Sequence, residues 1–253
     1  MDLDPGLAAL RPLGGFSVLR VVLPEAVDPP GRLPSLADTY ANRSSDVYGN
    51  PLTFRIGKVA RALRAPDGRV AASVAQQGLA ARLWSAALGC AVVYGRIPDL
   101  DPRLLRWDPD AGAPDDLWLT EVRALPGDPR TLAEAVLDGH LEPLSAALRA
   151  HHPVAPGLLR GNAASALAGA ARQLERWAAA HGRPEAAART RALTAGLFAH
   201  PLLADTGTRT ETSDGTAFRR RSCCLYYRVP GGGVCGDCCF TRPPRSSPRA
   251  PSG

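Results

Sequence analysis

The chain has 253 residues, 45% apolar and 21% charged, which is long enough to fold around a substantial hydrophobic core. Its net charge is +6, but the only lysine is Lys58 and the arginines are scattered among acidic residues except near the C-terminus. That scatter argues against a nucleic-acid binder, which gathers its cations on one face with aromatic residues between them.

The opening "MDLDPGLAALRPLGG" is acidic and lacks the basic start of a secretory signal. No apolar run approaches the ~18 residues of a membrane span. The expectation is a cytoplasmic protein with no transmembrane segment, which leaves peripheral contact with the inner membrane open. Residues 1–57 are rich in Pro, Gly, Asp and Ser, and "FSVLRVVL" at 16–23 reads as a short strand or helix among loops. From Val70, "VAASVAQQGLAARLWSAALGCAVVYG" turns helical, with Leu79, Leu83, Ala86 and Ala87 on one face. "DLWLTEV" at 116–122 alternates like a strand and is expected to pair with "LLRW" at 104–107.

Helices follow. "TLAEAVLDGHLEPLSAALRAHH" (131–152) is expected to start at Thr131, with Glu134 at capping-box spacing. In "GLLRGNAASALAGAARQLERWAAAHG" (157–182), Leu167, Ala170, Ala171, Leu174, Trp177 and Ala178 form a stripe, and Gly182 is a stop. Pro184 opens the next helix. After Pro201 the texture becomes strand- and turn-like, with an Asp-Gly turn expected at 214–215. The predicted class is α+β, a predominantly helical body with a small β/loop C-terminal module. The divisions are 1–69 (irregular, α+β), 70–205 (helical body), 206–241 (C-terminal module) and 242–253 (disordered tail).

That module holds five of the six cysteines within seventeen residues: Cys223, Cys224, Cys235, Cys238 and Cys239. In a reducing compartment such clustering points to metal ligation or redox chemistry rather than to structural disulfides. A zinc site wants two C-x2-C knuckles. Cys235–Cys238 is one, with Gly236 read as easing its turn, but the adjacent Cys223 and Cys224 cannot form the other. A two-iron cluster spreads four thiolates over two metal atoms and tolerates neighbours better. "CGDC" also has the form of a thiol-redox pair, though without a βαβ context.

A regular hairpin about Pro230–Gly233 would face Cys224 with Cys239 and leave Cys235 ~13 Å down the ladder. The segment is therefore expected to curl as a loop, using the freedom of Gly231, Gly232 and Gly233. Gly231, Gly233 and Gly236 also satisfy G-x-G-x-x-G, but no strand precedes them and no helix with its acidic residue follows, so a dinucleotide site is rejected.

The C-C-x10-C-x2-C arrangement with its Arg-Ser lead-in resembles the FhuF-type ferric-siderophore reductases. The body is similar to actinobacterial members of that family at "ARLWSAALGCAVVYGRIPDL" (81–100) and "LLRGNAASALAGA" (158–170), so the resemblance spans roughly 70–240. It implies an iron–sulfur module holding a [2Fe-2S] cluster on Cys223, Cys224, Cys235 and Cys238, with Cys239 a departure from the pattern. It also implies one-electron reduction of an iron(III)–siderophore, with a hydroxamate type expected, and release of Fe(II).

With no dinucleotide or flavin motif, electrons are expected from another protein such as a ferredoxin. The alternatives are a non-enzymatic [2Fe-2S] redox sensor or electron-transfer module and, third, a zinc-stabilised interaction domain. Around the cluster, Arg219, Arg220, Arg221 and Arg228 are candidates to raise its potential or dock an acidic donor. Tyr226 and Tyr227 are candidates to shield it. Elsewhere structural roles are expected: His151 and His152 at a helix end, His140, His181 and His200 near helix termini, Cys90 as a buried small hydrophobe, and Trp84, Trp107, Trp118 and Trp177 in packing. Arg160 and Asn162 are read as capping or cleft residues.

Overall fold

Caps and prolines set the helix boundaries. The computed structural model describes residue 3 and residues 7–22, 33–41, 50–212 and 215–244. After a 3₁₀ segment at Ala8–Leu13 come strand β1 (Arg20–Val21) and helices α1 (Leu36–Ala41) and α2 (Pro51–Leu63). The sequence reading did not anticipate α2, although "NP" announces it: the Asn50 side chain accepts the Thr53 N–H, and Pro51 fits the first turn, where no N–H is needed. Helix α3 (Gly68–Tyr94) starts where the Asp67 carboxylate accepts the Arg69 and Val70 N–H groups, and stops at Gly95, φ 76°.

Strands β2 (Arg96–Pro98), β3 (Leu105–Trp107), β4 (Leu117–Leu119) and β5 (Ala124–Pro126) follow. The expected pairing is present: β3 and β4 run antiparallel with Leu105 opposite Leu119. β1 adds to β4 in parallel, a long-range pairing that local patterns do not carry, and β2 pairs with β5.

Next come α4 (Pro129–Ala133), a π-helical stretch at Glu134–Leu141 and α5 (Glu142–His151). The cap lies three residues before the expected one. Asp128 accepts the Thr131 N–H and hydroxyl, so Thr131 is a capped residue and not the cap. The π stretch has a cause in Pro143, which has no N–H for the Gly139 carbonyl and whose ring crowds it, so the ladder widens in the turns before it. His140, expected near a terminus, is fully buried in that stretch, its Nδ1 2.9 Å from the Tyr40 hydroxyl and its Nε2 2.6 Å from the Leu100 carbonyl.

Helices α6 (Pro156–Ala180), α7 (Pro184–Phe198) and α8 (Pro201–Ala204) complete the body, and Gly182 takes the expected left-handed φ of 61°. The hairpin β6 (Gly207–Thr212) and β7 (Gly215–Arg220) leads to the cysteines. Gly215, expected in the turn, pairs with Thr212 instead, and Asp214 lies outside the described residues. So do residues 245–253 of the expected tail.

The molecule is α+β with a helical body. α3 and α6 pack along one another at its centre. α3 is buried on nearly every side, and one apolar cluster draws on residues from Leu7 and Leu52 to Phe218. At ~25 cal/mol per Å² of apolar surface removed from water, such burial is the main force holding the two helices together.

Candidate metal centre

Period-two alternation along β7 decides which arginine turns inward. Phe218 and Arg220 are buried, while Ala217, Arg219 and the following Arg221 are exposed. Phe218 packs on Phe198, ring centroids 5.3 Å apart. The Arg220 N–H donates to the Asp237 carbonyl (3.0 Å), joining the end of the strand to the Cys235–Cys238 knuckle.

The chain is then pinned to the two central helices. Ser222 Oγ donates to the Gly157 carbonyl (3.0 Å), and Ser73 Oγ of α3 donates to the Cys224 carbonyl (2.8 Å). Leu225, φ 68°, turns the backbone directly after the cysteine pair and leads into a 3₁₀ turn at Tyr226–Arg228. Gly231 holds φ 72° and uses the backbone freedom expected of it. Gly232 is required for a different reason, a Cβ there standing 2.5 Å from the Tyr226 carbonyl oxygen, and Gly233 is a correction, with no left-handed φ and an open Cβ position. Gly236 is a correction: its φ is ordinary and its Cβ position is open, so the knuckle turn does not depend on it.

The loop gathers its sulfurs in two groups. Cys224 and Cys235 Sγ are 3.7 Å apart. A tetrahedral metal with bonds of about 2.3 Å spaces two sulfur ligands about 3.8 Å apart, so this is the separation of two ligands on one metal atom. Cys223, Cys238 and Cys239 Sγ lie within 4.8 Å of one another. Backbone N–H groups already point at the sulfurs, Leu225 to Cys223 (3.2 Å), Phe240 to Cys238 (3.4 Å) and Tyr226 to Cys224. Hydrogen bonds from the Cys223 and Cys235 thiols draw Cys224 well toward the thiolate, helped by Arg220. Cys223 and Cys235 are pushed up by that same sharing with Cys224, and Cys239 is raised first by burial.

Residues 220–240 match the family described as the FhuF 2Fe-2S C-terminal domain. The cysteine loop is thus similar to a FhuF-type [2Fe-2S] domain. No curated protein matches the chain.

Whether this FhuF-type module fits its cluster can be tested on Arg220. Its side chain is 1% exposed and has no carboxylate partner among the described residues. Nη2 donates to Asn162 Oδ1 (2.6 Å) and the Leu158 carbonyl (3.3 Å), while Nε and Nη1 are buried without a partner among the described residues. A buried guanidinium with two idle donors is costly unless an anion faces it. Four thiolates around two irons and two sulfides make a centre of net negative charge, and Arg220 already acts electrostatically on Cys224, Cys235 and Cys239. The donor set and the buried cation both suit the group.

The other candidates sit as follows. Arg221 is exposed and pairs with Asp205 (3.5 Å); Arg228 pairs with the α3 cap Asp67 (3.0 Å). Tyr226 is 37% exposed and its backbone N–H faces Cys224. Arg219 donates to the Cys239 carbonyl (3.2 Å). Asn162 is buried, donates to Ser73 and accepts from Arg220, so it neither caps nor faces a cleft. Arg160 is exposed. Trp84, Trp107 and Cys90 are core residues, and Trp177 stacks on His181. Arg220 is the residue the sequence reading failed to separate from its neighbours; alternation from Phe218 was the signal available.

Proposed function

We propose that the protein is a ferric-siderophore reductase acting on iron(III)–hydroxamate chelates, with Cys223, Cys224, Cys235 and Cys238 holding its cluster. The bound [2Fe-2S] group supplies one electron at a time, which matches the Fe(III)/Fe(II) couple. The observation that carries the reading is a FhuF-like thiol loop facing a buried arginine that has no counter-ion among the described residues. Siderophores bind Fe(III) through hard oxygen donors and hold Fe(II) poorly, so one electron is enough to free the metal.

The residues divide the remaining work. Arg220 sets positive charge beside the thiolates and favours the more reduced state. Ser73 and Asn162 fix the loop and that arginine on α3 and α6, and the Leu225 and Phe240 N–H groups hold Cys223 and Cys238 Sγ in place. The sequence carries no dinucleotide or flavin motif, and electrons arrive from a one-electron carrier such as a ferredoxin. Among the described residues, no helix is long and apolar enough to cross a membrane, and release of Fe(II) into the cytoplasm belongs to this proposal.

The test begins with visible absorption and iron, sulfide and zinc analysis of anaerobically purified protein. Two irons and two sulfides, bleached by dithionite and lost in Cys224→Ser, are expected, followed by electron transfer from the reduced protein to a ferric trihydroxamate. A colourless protein carrying one zinc, or a reduced protein inert to the chelate, overturns the proposal.

A further inference from the structure

A cavity of about 490 Å³ opens against the cysteine module. That is within the roughly 300–1,000 Å³ of small-molecule sites. Three walls form it. Gln77, Ala81 and Ser85 stand at four-residue spacing on one stripe of α3; Ser165, Gly169 and Arg172 come from the facing side of α6; and the segment from Leu13 to Phe16 supplies the third wall. The space exists because the residues there are small. A Cβ on Gly169 would meet nothing nearer than Arg172 Nη2, at 3.9 Å.

The third wall is fixed from below. Arg82, 1% exposed, pairs with Asp116 (2.7 Å) and donates to the Phe16 and Val18 carbonyls (2.6 Å each), while Phe16 itself stays 52% exposed. The cavity is therefore held open by a rigid frame.

Asp237 closes the end. It lies inside the Cys235–Cys238 knuckle, and its buried carboxylate accepts from Ser165 Oγ (2.6 Å) and pairs with Arg172 (3.0 Å). A molecule filling the cavity thus rests on the peptide that joins two of the cluster-holding cysteines. Among the described residues, Asp237 and Arg172 are the only charged ones of the lining, and they neutralise one another. Amides and hydroxyls supply the remaining polarity. Three singly charged hydroxamates cancel the charge of Fe(III), whereas three doubly charged catecholates leave a trianion, which a cavity without net positive charge receives poorly.

We propose that this cavity is the docking site of the ferric chelate, that it selects uncharged trihydroxamate complexes over anionic catecholates, and that the electron leaves the protein across the Cys235–Cys238 knuckle. The inference rests on the reductase reading. In balance, one electron from the carrier protein reduces Fe(III) to Fe(II), the carrier is oxidised by one electron, and the freed hydroxamates take protons from water.

The experiment uses the full chain with its cluster and reads binding and transfer separately. Binding of the redox-inert gallium(III) complex of a linear trihydroxamate, and of a gallium(III) tris-catecholate, is measured by calorimetry. Re-oxidation of the dithionite-reduced protein by the ferric trihydroxamate and by ferricyanide is followed in a stopped-flow spectrometer. Gly169→Phe, which fills the cavity, is expected to weaken the gallium hydroxamate at least tenfold and slow re-oxidation by the chelate. Cluster absorbance and the ferricyanide rate are expected to stay unchanged, and the catecholate to bind at least tenfold more weakly than the hydroxamate. Ala81→Leu fills the same space from α3 and decides the matter if Gly169→Phe loses its cluster.

Equal gallium binding by wild type and variants, tighter binding of the catecholate, or re-oxidation by the chelate without gallium binding overturns the docking site and leaves the reductase standing. Failure of the wild type both to bind and to be re-oxidised by the chelate removes both.

Discussion

Arg220 and Arg219 are chemically identical neighbours, and only the pleat of β7 separates their roles. One lies beside the thiolates with two idle donors, while the other reaches the Cys239 carbonyl from the surface. Removing positive charge next to a negative centre disfavours its reduced form, so Arg220→Gln is expected to lower the reduction potential. A tenfold change in the one-electron equilibrium is about 59 mV, and a drop of at least that size should appear in an anaerobic redox titration. Arg220→Lys keeps the charge but not the planar fork, so it should recover part of the drop. An unchanged potential in Arg220→Gln would refute the assignment. Cys239 gives a second residue-scale test: with Cys223, Cys224, Cys235 and Cys238 as the proposed ligands, Cys239→Ser should keep two irons and two sulfides per chain. Iron loss in that variant would place Cys239 among the ligands. The five cysteines were plain in the sequence because thiols in that spacing have few uses. The turn at Leu225 was not, since a left-handed φ at leucine has no side-chain signature.

At the scale of elements, α3 and α6 could be read from their apolar spacing, with Gly182 stopping α6, because a helix that buries a stripe must repeat it, while α7 was announced only by Pro184 at its start. The parallel pairing of β1 with β4 joins strands of two and three residues far apart in the chain, which no window of local sequence reports. The π stretch before α5 belongs with these: Pro143 was visible, but the buried contacts of His140 with Tyr40 and Leu100 depend on tertiary packing. Burial holds the His140 pKa down to about 4, and the Leu100 carbonyl and Asp101 only partly offset it. The unfolded histidine titrates near 6.5. The folded state therefore resists protonation, and the stability it contributes is complete above about pH 6.5 and lost as pH falls toward 4. Over about 2.5 pH units that is about 3 kcal/mol. His152, also held below its usual value by burial, acts in the same window. Urea melts at pH 7 and pH 4.5 should show the fall, and His140→Phe should shrink it. A fall of the same size in that variant would assign the acid sensitivity elsewhere.

For the whole molecule, the bonds between the cysteine loop and the body matter most. Ser73 and Asn162 tie α3, α6, Arg220 and the Cys224 carbonyl into one buried network; Ser165 and Arg172 hold Asp237; Arg228 reaches the cap of α3 at Asp67. The module is thereby fastened to the two longest helices, and Arg220 needs the anionic cluster to avoid standing as a bare buried charge. A group bound by the folded chain and not by the unfolded one stabilises everything that folds with it. Removing the cluster with a chelator and a mild reductant is therefore expected to lower the melting temperature of the body, not only of the last thirty or so residues. In a chain of this size each 1 kcal/mol is about 2–4 °C, so a contribution of several kcal/mol should shift the transition by at least about 5 °C. Calorimetry gives the shift, and hydrogen exchange gives its location: protection should fall at the start of α3 and along α6 around Asn162. Asn162→Leu, which cuts the network but leaves every cysteine in place, should weaken the transmission, so that cluster removal then moves the body's transition less. If the body melts at the same temperature with and without its cluster, the module is an independent appendage and the buried network does not couple the two.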